Sequence, residues 1–253
     1  MAQEAKQERR LAALRRRLEG LERGGRAAAG VLPFAVAALD QVLPGGGLVL
    51  GALHEVAGAG ADEEDGAVAA GFLAGILARL SPLRPVLWCL AAGDLYAPGL
   101  AAYGLRPERL ILARATGEQE RLWAMEEGLR SPALAAVIGE VETLTLPASR
   151  RLQLAAEASG VTGFALRRWR HGETAARQRE AANAAVTRWR VATLSGAMVA
   201  GEPGVGRPRW RVELWRSRGG VPASWEMEAC DATGHVALAA ELGDRPPRPA
   251  RVA

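Results

Sequence analysis

Phe34 to Ala70 reads FAVAALDQVLPGGGLVLGALHEVAGAGADEEDGAVAA, and its punctuation decides the fold. An apolar-periodic segment ending in Leu39-Asp40 meets the turn Gly45-Gly46-Gly47. The apolar run Leu48 to Val56 then reads as a strand, Gly58-Ala59-Gly60 as a tight loop, and Ala67 to Leu80 as a helix. Strand, glycine loop and helix in that order is how a backbone cradles phosphate, but such a loop needs a lysine directly after its second glycine. Of the 32 basic residues one, Lys6, is lysine and the other 31 are arginine, and Lys6 lies in no such context. Asp62-Glu63-Glu64-Asp65 instead puts four carboxylates where a helix N-terminus would attract an anion. Each like-charge pair costs on the order of 1 kcal/mol even in water-like dielectric. Two readings stand for the acids: they cap the helix, or they hold a cation.

Outward from this stretch, apolar runs alternate with helical patterns. Strands are expected near Val86 to Leu90, Leu110 to Ala113, Ala135 to Ile138 and Val161 to Leu166, with helices near Leu95 to Tyr103, Glu118 to Arg130 and Ala148 to Ser159. This order predicts an α/β fold with a mostly parallel sheet covered by helices on both faces. After Leu166 the period changes to two, in Trp189 to Thr193, Trp210 to Leu214, Trp225 to Ala229 and His235 to Leu238, which predicts half-exposed antiparallel strands.

Residues 1–30 form an arm and residues 244–253, DRPPRPARVA, a disordered tail around a core of residues 31–243. In the arm Leu11, Leu14, Leu18 and Leu21 make one stripe of an amphipathic helix whose other faces are rich in arginine. A stripe of this kind folds back on its own domain, docks on another chain or lies on a membrane surface. The opening MAQEAKQERR has no apolar h-region, no run approaches the roughly 20 apolar residues of a membrane span, and the cysteines are only Cys89 and Cys230. The expectation is a cytoplasmic protein without a membrane partner.

The formal charge is +4, yet Thr162 to Arg218 alone carries 12 arginines against four acids. Within it Arg167, Arg168, Trp169, Arg170, Arg177 and Arg179 surround a polar, glycine-containing stretch. Arginines neutralise phosphates and a tryptophan stacks a base, so these six are the candidates for contact with single-stranded DNA. The alternatives are a solvated arginine loop or a protein contact. No G-x-S-x-G elbow or C-x-x-C pair is present, and His54, His171 and His235 lack ligand spacing, so no catalytic residue, metal or cofactor is expected.

The Phe34 to Ala70 segment resembles the opening of the RecA-like ATPase core, and the resemblance continues through Tyr96 to Leu110 and Gly117-Glu118-Gln119. Carried across, the phosphate loop puts Gly58 at its first glycine, Glu63 at the second, Glu64 at the lysine and Asp65 at the magnesium-binding hydroxyl; Gly60 and Asp62 lie between. The family's general-base glutamate falls on Ala92, and its metal-orienting aspartate near Glu140 or Glu142, read here as solvated acids at a strand end. The basic stretch occupies the place of the DNA-contacting loops, before an Asn-containing helix-like Glu180 to Ala184. With the N-terminal leucine-and-arginine helix and the repeated RWRV of Arg188 to Val191 and Arg209 to Val212, the chain resembles the ImuA family of damage-inducible mutagenesis proteins. The resemblance implies a non-catalytic accessory of SOS-induced translesion synthesis, nucleoid-associated during DNA damage. Its implied partners are an ImuB-like inactive Y-family polymerase and an error-prone C-family polymerase, with RecA and single-stranded DNA as further candidates. A SulA-like or RecA-modulating inhibitor and a divergent ATPase are the alternatives.

Overall fold

The computed structural model describes residues 30–80, 83–169, 181–197 and 207–239. The leucine stripe of the arm, Arg170, Arg177, Arg179 and the tail from Asp244 lie outside the described residues.

In chain order the elements are β1 (Val31–Leu32), α1 (Ala37–Asp40), β2 (Leu48–Val49), β3 (Leu53–Gly58), α2 (Asp62–Arg79), β4 (Val86–Leu90), β5 (Leu110–Arg114), α3 (Glu118–Leu129) and β6 (Ala136–Val141). They continue with α4 (Leu146–Ser159), β7 (Thr162–Arg167), β8 (Thr187–Ala197), β9 (Arg207–Ser217), β10 (Ala223–Glu228) and β11 (Ala237–Leu238). Nine strands form one sheet in the order β11-β10-β9-β8-β3-β7-β6-β4-β5. The six from β8 to β5 are parallel, and β9, β10 and β11 continue the sheet as an antiparallel wing. This is the mixed α/β architecture expected of a RecA-like core.

Alternation along each strand divides the interior. Val56, Ile138, Phe164, Leu166, Trp189 and Val212 point to the α2 face, while Leu53, Val137, Val141 and Ala165 meet α3 and α4 on the other. Burial on both faces explains why β6 and β7 are buried at every position. On the α2 face Phe34 stacks on Phe72 at 6.2 Å and meets Trp189 at 5.5 Å, which fastens the segment before α1 to the core. Helix α2 carries Gly71 and Gly75 despite their propensity cost of about 1 kcal/mol each, because neighbours approach closely there. A Cβ at Gly75 would sit 2.3 Å from Cys230 Sγ, and one at Gly71 3.0 Å from the Tyr103 ring.

Four local expectations change. The single strand Leu48 to Val56 is two: β2 pairs antiparallel with β1, and Gly51, at φ +63°, turns the chain into β3. Leu95 to Tyr103 becomes a 3₁₀ segment, Ala97–Tyr103, opened by a proline and closed by left-handed Gly104. Ala181 to Ala185 is not helical; Asn183 Oδ1 accepts from Ala185 N at 3.1 Å, a local turn that competes with helix. Strand β6 runs on to Val141, which places Glu140 inside the sheet rather than at a solvated end.

Candidate functional site

In an open parallel sheet the carboxyl ends of the strands share one edge, and ligand crevices form there where the strand order reverses. Here β3 is followed in sequence by β4, three places away, with β7 and β6 between them. The residues leaving β3, β4, β6 and β7 therefore meet although they lie far apart in sequence.

What fills the crevice is Arg168, just past β7. Its Nε donates to Asp62 Oδ1 at 2.7 Å, its Nη2 to Asp62 Oδ2 and Asp94 Oδ2 at 2.7 Å each, and its Nη1 pairs with Glu140 Oε1 at 3.3 Å. One guanidinium thus ties the first residue of α2, the loop after β4 and the middle of the sheet. Glu140 is fully buried and takes two further donors, Trp88 Nε1 at 3.2 Å and Ala91 N at 2.9 Å. Burial alone would lower the Arg168 pKa, but the hydrogen bonds it donates to Asp62 and Asp94, with the Glu140 charge, more than offset this and raise it. The solvated-acid reading of Glu140 is corrected: an acid on a doubly covered strand has no route to water, and the structure supplies it with donors instead.

The remaining acids of the loop also turn inward. Asp65 Oδ2 accepts from Gly60 N at 2.7 Å and its Oδ1 from Thr193 N at 2.8 Å, so this carboxylate clamps the loop to β8. Gly58 is required by the clamp, since a Cβ there would lie 2.8 Å from Asp65 Cβ, and one at Gly60 would crowd Asp65 Oδ2 at 3.0 Å. The N-cap position, Ala61, makes no side-chain cap bond. Asp62 is thus drawn to Arg168 and Asp65 to Thr193, while Glu63 and Glu64 are exposed at the helix start. Arg168 offsets only one of the three carboxylates it meets, so the crevice stays net acidic.

Arg167 and Trp169 are both buried, with the Arg167 guanidinium 5.3 Å from the Trp169 ring centre. Arg167 Nη2 and Trp169 Nε1 donate to the Glu142 carbonyl, the latter at 3.2 Å, and burial lowers the Arg167 pKa. A base stacking on Trp169 would have to displace this packing. Of the six candidates for DNA contact, the structure gathers Arg167, Arg168 and Trp169 into internal contacts. Glu142, for its part, donates its N–H to Glu118 Oε1 at 2.7 Å.

A second ion pair lies one strand away. Glu55 Oε1 accepts from Arg188 Nε at 3.1 Å and Nη2 at 2.9 Å, with both side chains buried and Asn183 Nδ2 on the other carboxylate oxygen. The Arg188 guanidinium lies 4.5 Å from the Trp215 ring centre. His54 beside it is fully buried, and burial lowers its pKa to about 4. Its Nε2 lies 2.8 Å from the Val49 carbonyl and its Nδ1 2.7 Å from Thr187 Oγ1. Burial pushes both cysteine thiols up to about 12, leaving them inert.

Sequence reading missed Asp94, Glu55 and Arg188. Asp94 had a signal, an acid directly after a strand expected in the parallel sheet. Glu55 stands where the RecA-like core has a glutamate ending its strand, but its pairing with Arg188 had no signal beyond their lying on neighbouring strands.

A RecA-like α/β sheet whose crevice holds the chain's own arginine among carboxylates defines the class. Protein ImuA of Caulobacter vibrioides, in two strains, is 40% identical to this chain over 219 residues, covering 85% of this chain and 89% of the relative. The chain belongs to the ImuA family, the damage-inducible mutagenesis family that its motifs resemble. No protein-family profile matches it. No helix among the described residues is long and apolar enough to cross a membrane.

Proposed function

We propose that this chain is a non-catalytic accessory protein of SOS-induced translesion synthesis, and that it works by binding partner polymerases rather than by turning over nucleotide. The observation that carries the reading is Arg168. Its guanidinium lies among Asp62, Asp94 and Glu140, at the crevice edge where a RecA-like ATPase would hold its nucleotide and metal. An incoming triphosphate would meet Glu63 and Glu64 where a phosphate loop has glycine and lysine. It would also have to pull Arg168 from the buried Glu140, at a cost of about 2 kcal/mol with Trp88 and Ala91 still donating to that carboxylate.

The partners that fit this reading are those implied by the family, an ImuB-like inactive Y-family polymerase and an error-prone C-family polymerase. Single-stranded DNA is a weaker candidate for direct contact, because Arg167 and Trp169 are spent on internal packing. Parallel capture of the two polymerases, a recombinase and a division protein on the immobilised chain tests the proposal. Retention of a polymerase with or without ATP supports it; retention of the recombinase or the division protein alone transfers support to an inhibitor.

A further inference from the structure

Helices α3 and α4 lie side by side on one face of the sheet, joined by Arg151 and Glu126 at 3.3 Å. Each also shows a large apolar side chain to solvent: Trp123 is 67% exposed and Leu154 64%. On a helical wheel with Met125 facing the sheet, Trp123 points outward on the shoulder shared with Glu126, which faces α4. Leu154 likewise points outward on the shoulder shared with Arg151, which faces α3. The two apolar groups therefore flank the seam between the helices. Toward the helix C-termini the seam opens into a cleft of about 410 Å³ lined by Arg130, Pro132, Ala155, Ala158 and Ser159.

The chain arrives beside this end of the seam. Gly30 accepts from Leu50 N at 2.8 Å, and the next residue, Gly51, abuts Gly160 at the C-terminus of α4, where a Cβ on Gly51 would lie 3.1 Å from Gly160 Cα. Residues 24–29, GGRAAA, span at most about 20 Å when extended. The leucines from Leu11 to Leu21 cover about 15 Å as helix, within the roughly 21 Å length of α4. A tether this short holds the arm at an effective concentration in the millimolar range, ahead of any second chain at micromolar concentration.

We propose that residues 3–23 dock in cis along the α3–α4 seam, with Leu11, Leu14, Leu18 and Leu21 covering Trp123, Leu154 and the cleft. This goes beyond the accessory reading and does not depend on it: the seam is closed by the chain's own arm whichever partner binds elsewhere.

Limited trypsin digestion of the full chain tests it, because the arm offers cleavage sites at Arg9, Arg10, Arg15, Arg16 and Arg17. Leu154→Asp and Trp123→Ser should each speed cleavage of the arm by about 10-fold, since proteolysis follows the population of the open form. Val221→Asp, at a similarly exposed residue (62%) between β9 and β10, should leave it unchanged. The wild-type rate should be the same at about 1 μM and about 50 μM protein, as an intramolecular contact requires. Equal cleavage of wild type and both seam variants overturns the proposal, and protection that rises with concentration overturns it in favour of a second copy.

Discussion

The carboxyl edge of the parallel strands and the antiparallel wing are built from the same arginine-rich composition and use it in opposite ways. At the edge Arg168 reaches inward to Asp62 and Glu140, and deeper in the parallel sheet Arg188 pairs with Glu55, where carboxylates are shielded from water. On the wing Arg207, Arg209 and Arg190 pair across strands with Glu228, Glu226 and Glu213 on a solvated face. Exposed pairs contribute about 0 to 1 kcal/mol, whereas a buried charge that loses its partner is costly. Neither the count of arginines nor their local density says where charge matters; burial of the partner does.

The largest effect that would break this contrast is Arg188→Ala. It leaves Glu55 buried with Asn183 alone and should lower stability by about 3 to 5 kcal/mol in urea denaturation. Replacing both partners by apolar side chains, Glu55→Leu with Arg188→Met, should restore most of the loss; if the double variant is as unstable as the single, desolvation is not the cause.

Next in size is the acid response of His54, adjacent to Glu55 on β3 but on the opposite, α2 face of the sheet. Its folded pKa of about 4 lies below the ordinary 6.5, so between these values the unfolded chain binds a proton that the folded chain refuses. The stabilisation is complete above pH 6.5 and is lost as pH falls toward 4, by up to about 3 kcal/mol. His54→Gln should flatten the stability profile in that window, measured by urea midpoints at each pH.

Arg168→Ala should cost less, about 2 kcal/mol, because Glu140 keeps its donors Trp88 and Ala91. Smallest is Arg209→Ala on the wing, expected within about 1 kcal/mol and weakened further by salt. A wing variant as damaging as Arg188→Ala would remove the distinction between the two regions.

The elements of the sheet were legible because their cause is local. Val86 to Leu90 and Trp210 to Leu214 announce doubly and singly buried strands by period alone, and the glycine loop before α2 announces the crevice. The site was legible only by half. Asp62 and Asp65 stood out as acids where phosphate loops have none, but their partners Arg168 and Thr193 lie more than 100 residues away and are brought in by the order β8-β3-β7. For the same reason Trp169 read as a stacking platform beside a loop, when its neighbours on the sheet make it a core residue. Glu140 was misread because a shift of the β6 boundary by two residues decides between a solvated end and a buried interior.

Under the proposed function, Arg168 occupies the RecA-like crevice and excludes nucleotide. Isothermal titration of the full chain with ATP and magnesium tests it most directly. No saturable heat is expected at any attainable concentration, in wild type and in Arg168→Lys alike. Binding of wild type with a micromolar constant, roughly −8 kcal/mol, abolished by a large side chain at Gly58 or Gly60, would contradict it.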